Sequence, residues 1–312
     1  MSIIDEIAIH LQVGRKDVAK FLYAAPARYK VFSIAKRNGG MRTIAQPSAA
    51  LKTIQRFLVD SRLRYFPVHE AAAAYVVGKG ISDNANLHRK SRYVLKLDFH
   101  SFFNSLRPVD WRRVLENFDK EPIHRDDLYF YEKILFWGDG TFTPKMLSVG
   151  APSSPILSNI IMYRFDEYMA NASSKTGSIY TRYADDITIS ANSREICSAM
   201  EREAAVALKK LKYPSLKFNA EKRGLYGRGE RRMVTGLVIT PTSAISIGRE
   251  RKRLISAMVH RASLGQLDAG QMNELKGLLG FAHAAEPQFL DSLRRKYGDE
   301  LLTKIAKYQR PG

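Results

Sequence analysis

Three aspartates stand where carboxylates are costly unless they meet a cation. Asp185 and Asp186 are adjacent and lie between two largely apolar segments, Ser178-Ile179-Tyr180-Thr181-Arg182-Tyr183 and Ile187-Thr188-Ile189-Ser190. Asp98 closes a third such segment, Tyr93-Val94-Leu95-Lys96-Leu97-Asp98. Like charges a few ångströms apart repel each other, and burial raises that cost. Three carboxylates brought together form a hard oxygen site suited to Mg²⁺, with Mn²⁺ as the alternative. Two such ions about 3.5–4 Å apart activate an attacking oxygen and stabilise a leaving oxygen during in-line phosphoryl transfer. Aspartate is also a common turn residue, so Asp185-Asp186 taken alone equally describes a capped turn. The residue pattern leaves both readings open.

The surrounding elements must bring these carboxylates into register. Alternation predicts strands over 91–98, 178–183 and 187–190, with the Asp185-Asp186 pair in the connection between the last two. Residues 2–28 carry apolar clusters at helical spacing and read as two short helices. Strands over 29–35 and 41–45 are joined through Arg37-Asn38-Gly39-Gly40, a strong hairpin signal. Helices are expected after Pro47, near Val109, over 126–138, over 156–168 and over 195–211. Residues 233–239 read as one strand and 245–247 as another, and the pattern is helical from Arg249 onward. Interleaved strands and helices with a helical end piece predict an α+β fold.

Lysine and arginine number 50 against 31 acidic residues, a net charge of +19, which favours a polyanionic partner. The excess is spread along the chain, as suits a folded groove better than a charged tail. A lone cysteine, Cys197, makes no internal disulfide, and no Cys/His cluster has zinc spacing. No signal peptide and no run of eighteen apolar residues is present, so a cytoplasmic protein without a membrane span is expected.

Tyr183-Ala184-Asp185-Asp186 resembles the central catalytic box of reverse transcriptases, and Val94-Leu95-Lys96-Leu97-Asp98-Phe99 resembles their first aspartate motif. Gly150-Ala151-Pro152-Ser153-Ser154-Pro155 with Asn159 is similar to the intervening box under the primer and nucleotide. Leu216 to Lys222 resembles the lysine-ended box that follows, and Arg37 to Arg42 with Pro47 and Leu51-Lys52 the fingers hairpin. Within that family, Asn84-Ala85-Asn86-Leu87-His88 and Val234-Thr235-Gly236-Leu237 resemble two boxes of the bacterial retron enzymes. Ser148-Val149 departs from the Pro-Gln that many relatives carry before the glycine.

The resemblance implies an RNA-directed DNA polymerase with a right-hand architecture. Residues 1–28 would be N-terminal helices and 29–92 the first part of the fingers. Residues 93–240 would be the palm, with a fingers insertion around 110–150, and 241–312 the thumb. It implies metal ligation by Asp98, Asp185, Asp186 and the Phe99 carbonyl, with Lys222 aiding departure of pyrophosphate. Lys36, Arg37, Arg42, Gly150 and Ala151 would meet the nucleotide, and Phe103 would exclude a ribose 2′-hydroxyl. Asn84, His88, Thr235, Gly236, Arg249, Arg251, Lys252 and Arg253 would contact RNA. Each has a plainer reading as well: hairpin surface charge, a core phenylalanine, a solvated lysine, or a locally bonded histidine.

The implied partners are dNTPs, a structured noncoding RNA serving as template and primer, the RNA–DNA hybrid and a branched single-stranded DNA. A host ribonuclease H would remove template, and a toxin or effector protein would join in antiphage defence. Two competing functions are an intron-encoded or diversity-generating reverse transcriptase, and an RNA-binding scaffold for an effector.

Overall fold

The computed structural model describes residues 1–35, 39–117 and 123–309. The chain divides into two compact units, residues 1–77, 96–187 and 198–224 in the first and 78–95, 188–197 and 225 onward in the second. Each is assembled from separated stretches of sequence.

The architecture is α+β, as the interleaved strands and helices implied. Strands β1 (Tyr29–Ala35) and β2 (Met41–Pro47) form an antiparallel hairpin with Tyr29 opposite Pro47 and Ala35 opposite Met41. Val31, Phe32, Ile34 and Met41 remain solvent-exposed on this ribbon. Lys36 and Arg37 lie outside the described residues. Where β2 ends, Ser48 accepts the Leu51 amide at 3.4 Å and starts the helix Ala49–Ser61, whose Leu51, Ile54 and Leu58 are buried.

Four strands form the sheet that carries the aspartates, in the order β4 (Ile179–Tyr183), β5 (Asp186–Ala191), β3 (Tyr93–Asp98) and β6 (Gly224–Tyr226). In the second unit, β7 (Arg232–Val234), β8 (Leu237–Ile239) and β9 (Ile245–Ser246) form an antiparallel sheet. Two sequence expectations change here. Residues 233–239 are two strands because Thr235 (φ 49°) and Gly236 (φ 81°) both take the left-handed conformation that reverses a two-residue hairpin. The helix expected over 156–168 is two, Ser154–Ile161 and Tyr163–Thr176, with the break at Met162. No glycine or proline marks that break.

The second unit has its own core, built from Val234, Leu237, Ile255, Val259, Leu275, Leu279 and Leu293 with Ala85 and Val94. Its helices Arg249–Ser263, Ala269–Ala285, Pro287–Tyr297 and Asp299–Ala306 supply most of it. No helix among the described residues is long and apolar enough to cross a membrane.

Candidate active site

Asp98 ends β3, and the next residue, Phe99, sits in a cluster of aromatic rings. Phe99 lies 5.1 Å from Phe218 and 5.6 Å from both Phe102 and Phe165, measured between ring centroids. Backbone bonds hold this corner on both sides: Asn219 N donates to Asp98 O at 2.7 Å, and Phe99 N donates to Asp185 O at 3.1 Å. The second bond brings the Asp185-Asp186 turn beside the end of β3. Ala184, just before the pair, is left-handed at φ 57°, which directs the chain sharply into β5.

The electrostatics are those of carboxylates in need of a cation. Burial raises the Asp185 pKa, and the charges of Asp98 and Asp186 raise it further. Burial likewise raises Asp98, partly offset by Lys222. The Lys222 Nζ lies 2.8 Å from both Asp98 carboxylate oxygens. Burial works against the Lys222 charge, yet the Asp98 bond and the neighbouring aspartates outweigh it and hold its pKa above the usual value. Asp186 is more open and pairs with Lys96 at 3.6 Å. Among the described residues, no three His, Cys, Asp or Glu side chains are gathered closely enough to hold a metal ion by themselves.

A cavity of about 330 Å³ is lined by Lys52, Arg56, Tyr75, Phe103, Gly150, Ala151 and Pro152, among others. It thus holds three of the residues expected at the nucleotide. Phe103 packs edge-on against Phe102 at 5.3 Å and is only partly buried, so it serves the core and the cavity together. Gly150 is needed at φ 122°, where an added Cβ would come within 3.2 Å of Ile44 Cγ2 and 3.3 Å of the Ala45 carbonyl. Ala45 N donates to Val149 O at 3.0 Å, so the hairpin base is fastened to this turn. Arg42 is exposed on β2.

A buried ion pair underlies the Asp185 turn, and residue type and spacing do not announce it. Arg182 on β4 and Asp166 on the helix Tyr163–Thr176 have no side-chain exposure at all. The Arg182 guanidinium bonds both Asp166 oxygens at 2.8 and 2.6 Å, Asn159 Oδ1 at 3.1 Å and the Ala184 carbonyl at 3.1 Å. Tyr180 adds its hydroxyl to Asp166 at 2.7 Å. The available signal was an arginine inside an alternating apolar strand. Lys52, Arg56 and Tyr75 were likewise not assigned to the site, and nothing in periodicity distinguishes them from surface residues.

The residues expected to touch RNA fall into two groups in the second unit. Asn84 and His88 are interior, 2% and 0% exposed, on the helix Ile81–His88. His88 Nδ1 lies 2.8 Å from Ser190 Oγ, and burial lowers its pKa to about 3, so the ring is neutral. Neither side chain reaches the surface in this structure. Thr235 donates to the Ile81 carbonyl at 2.9 Å, tying its hairpin to that same helix. Lys252 pairs with Glu286 at 2.5 Å, and Arg251 lies over the Phe281 ring at 4.5 Å. Arg249 and Arg253 are exposed.

Comparison with known proteins agrees with this arrangement. The family model "Reverse transcriptase (RNA-dependent DNA polymerase)" matches residues 34–238. The chain is 37% identical to the Retron Ec83 reverse transcriptase of Escherichia coli, over 98% of this chain and 99% of that one. It is 32% identical to the Retron Ec73 reverse transcriptase of the same species, over 92% of each. Among solved structures, telomerase from Candida albicans with a fragment of telomeric RNA superposes with a TM-score of 0.52 at 13% identity. That match covers 91% of this chain but only 57% of the telomerase, and it speaks to the fold alone. On these grounds the chain belongs to the bacterial retron reverse transcriptases, a family of RNA-directed DNA polymerases.

Proposed function

We propose that this enzyme copies part of a structured noncoding RNA into multicopy single-stranded DNA, primed from the 2′-hydroxyl of an internal guanosine in that RNA. The observation that carries the chemistry is the convergence of Asp98 and the Asp185 turn. Both carboxylates are raised by burial, and one is bridged by an ammonium group. Such a donor set fits hard divalent cations, with Asp98, Asp185 and the Phe99 carbonyl as ligands and Asp186 beside them. Two Mg²⁺ or Mn²⁺ ions held there would supply Lewis-acid activation of the attacking hydroxyl and charge neutralisation at the leaving group. The attacking hydroxyl gives its proton to solvent as its oxygen bonds to the α-phosphorus of the dNTP, the bond from that phosphorus to the oxygen bridging to the β-phosphate breaks, and pyrophosphate leaves with that oxygen. Lys222, charged at neutral pH, is the proton donor nearest Asp98.

The first unit would supply fingers and palm, and the helices of the second unit the thumb. Lys52, Arg56 and Arg42 supply positive charge for the triphosphate, and the charges of Lys36 and Arg37 add to it. Thr235, Gly236, Arg249 and Arg253 are the RNA-facing candidates, with Asn84 and His88 shaping the helix behind them. Backbone-tracking arginines suffice because RNA duplexes are held mainly through shape, phosphate and 2′-hydroxyl contacts. Template removal falls to a host ribonuclease H, and an effector protein joins the complex in phage defence.

Two experiments test this reading. Incubated with its own noncoding RNA and dNTPs, the enzyme yields DNA joined to RNA through a 2′,5′ bond that a debranching enzyme cleaves. A linear product resistant to that enzyme would overturn the priming while leaving polymerase activity intact. Phe103→Ala opens the sugar side of the cavity, so discrimination against ribonucleotides in single-nucleotide incorporation falls by about 100-fold, on the order of 3 kcal/mol. Unchanged discrimination would remove Phe103 from that role.

A further inference from the structure

We propose that Tyr75 is a nucleobase-contacting residue that sets how tightly and how accurately the incoming deoxynucleotide is held; this rests on the polymerase reading of the Asp98–Asp185 centre. Tyr75 is left-handed at φ 61°, a conformation that a bulky aromatic residue rarely adopts. Glycine would take it without strain, so a ring kept there is kept for what the ring does.

The preceding segment is fastened to hold it. Arg182 N donates to Ala71 O at 2.9 Å and Ala73 N donates to Arg182 O at 2.8 Å. Asn159 Nδ2 donates to Ala74 O at 2.8 Å, while its Oδ1 accepts from the Arg182 guanidinium. Asn159 and Arg182 are both buried, and Arg182 also bonds the Ala184 carbonyl. One buried set of hydrogen bonds therefore positions Ala74, just before Tyr75, together with Ala184, just before Asp185.

The Tyr75 residue itself is half exposed, at 50%, and shares the 330 Å³ cavity with Phe103, Gly150, Ala151, Lys52 and Arg56. Its hydroxyl is raised by burial first and then by the charge of Asp185, which places a neutral phenol near the reaction centre. The cavity thus offers two cations, an aromatic ring already given to the sugar, and a second ring with no other assigned task. A deoxynucleoside triphosphate presents the matching parts: a triphosphate, a sugar and a flat base. Stacking of a base on an aromatic face tolerates all four bases, as a templated polymerase requires.

The test is steady-state single-nucleotide incorporation by the full-length enzyme on a primed RNA, with thermal unfolding of each variant. Tyr75→Gly is expected to raise KM for the matched dNTP about tenfold and to extend mismatches more often, with a smaller change in kcat. Its Tm changes little, because the φ strain that glycine relieves is offset by the extra freedom glycine gives the unfolded chain. Tyr75→Phe, which keeps the ring, restores KM to within about threefold of the wild type. A purely structural ring would show the opposite pattern, a lowered Tm with KM and mismatch frequency unchanged, and that result overturns the proposal. Failure of Tyr75→Phe to rescue overturns the contact through the ring face. Should the wild type incorporate no dNTP, the polymerase reading fails and Tyr75 falls with it; an active wild type with an indifferent Tyr75→Gly rejects Tyr75 alone.

Discussion

Asp185→Asn incorporates dNTPs on a primed RNA about 10³-fold more slowly than the wild type, or slower still, while unfolding at a higher temperature. The rate loss corresponds to about 4 kcal/mol of transition-state stabilisation, a reasonable loss for a carboxylate that helps hold charge at the reacting phosphate. The stability gain has a separate origin. Burial and the neighbouring aspartates raise the Asp185 pKa, so the folded state binds a proton more readily than the unfolded chain. Stability therefore falls as pH rises from the ordinary carboxylate range through the raised value. An amide of the same shape carries no charge to repel, and the variant recovers the difference as a Tm increase of about 2 °C or more. Mg²⁺ added to the wild type raises its Tm by preferential binding to the folded state, and this increment shrinks in Asp185→Asn. Equal activity of the variant, or an equal Mg²⁺ increment, would reject Asp185 as a metal-holding residue.

Asp166→Ala has the largest expected effect on stability. It leaves the fully buried Arg182 guanidinium without the carboxylate that takes two of its hydrogen bonds. Removing one partner of a buried ion pair costs about 3–5 kcal/mol, because an uncompensated charge remains in a low-dielectric interior. For a chain of this size that lowers Tm by on the order of 10 °C. Replacing both partners, as in Asp166→Leu with Arg182→Met, restores most of the Tm, since two apolar side chains carry no unmet charge. Activity does not return with it. The double variant still lacks the donor to the Ala184 carbonyl, so the Asp185 turn loses that support. Thermal unfolding and single-nucleotide incorporation read the two quantities separately. A loss below about 1 kcal/mol in Asp166→Ala would show that the pair is not sealed from water.

These outcomes follow from residues that the sequence makes visible to very different degrees. Asp98, Asp185 and Asp186 stand out because carboxylates at the ends of apolar strands violate the ordinary patterning of a core. The hairpin of β1 and β2 and the helix after Ser48 were also legible, since turn residues and caps act within a few positions of themselves. The doubled strand around Thr235-Gly236 was not. Threonine is a strand-former by preference, and its left-handed state is accompanied by a bond from its hydroxyl to Ile81, 154 residues away in sequence. The break at Met162 was equally silent, with no helix-breaking residue to announce it.

Local sequence therefore determined the α+β character of the chain, its basic net charge and the three aspartates set at the ends of apolar strands. All of these depend on periodicity, charge and residue type, which are properties of neighbours along the chain. Tertiary structure alone decided which groups those carboxylates meet. It set Lys222 across Asp98, enclosed Arg182 with Asp166 beneath the Asp185 turn, and put Tyr75 into the cavity beside Phe103. It also placed Asn84 and His88 inside, where the resemblance had implied a contact with RNA. The physical reason is common to all of them: burial, pKa and hydrogen-bond partners depend on contacts between residues distant in sequence, and spacing along the chain carries no record of those contacts.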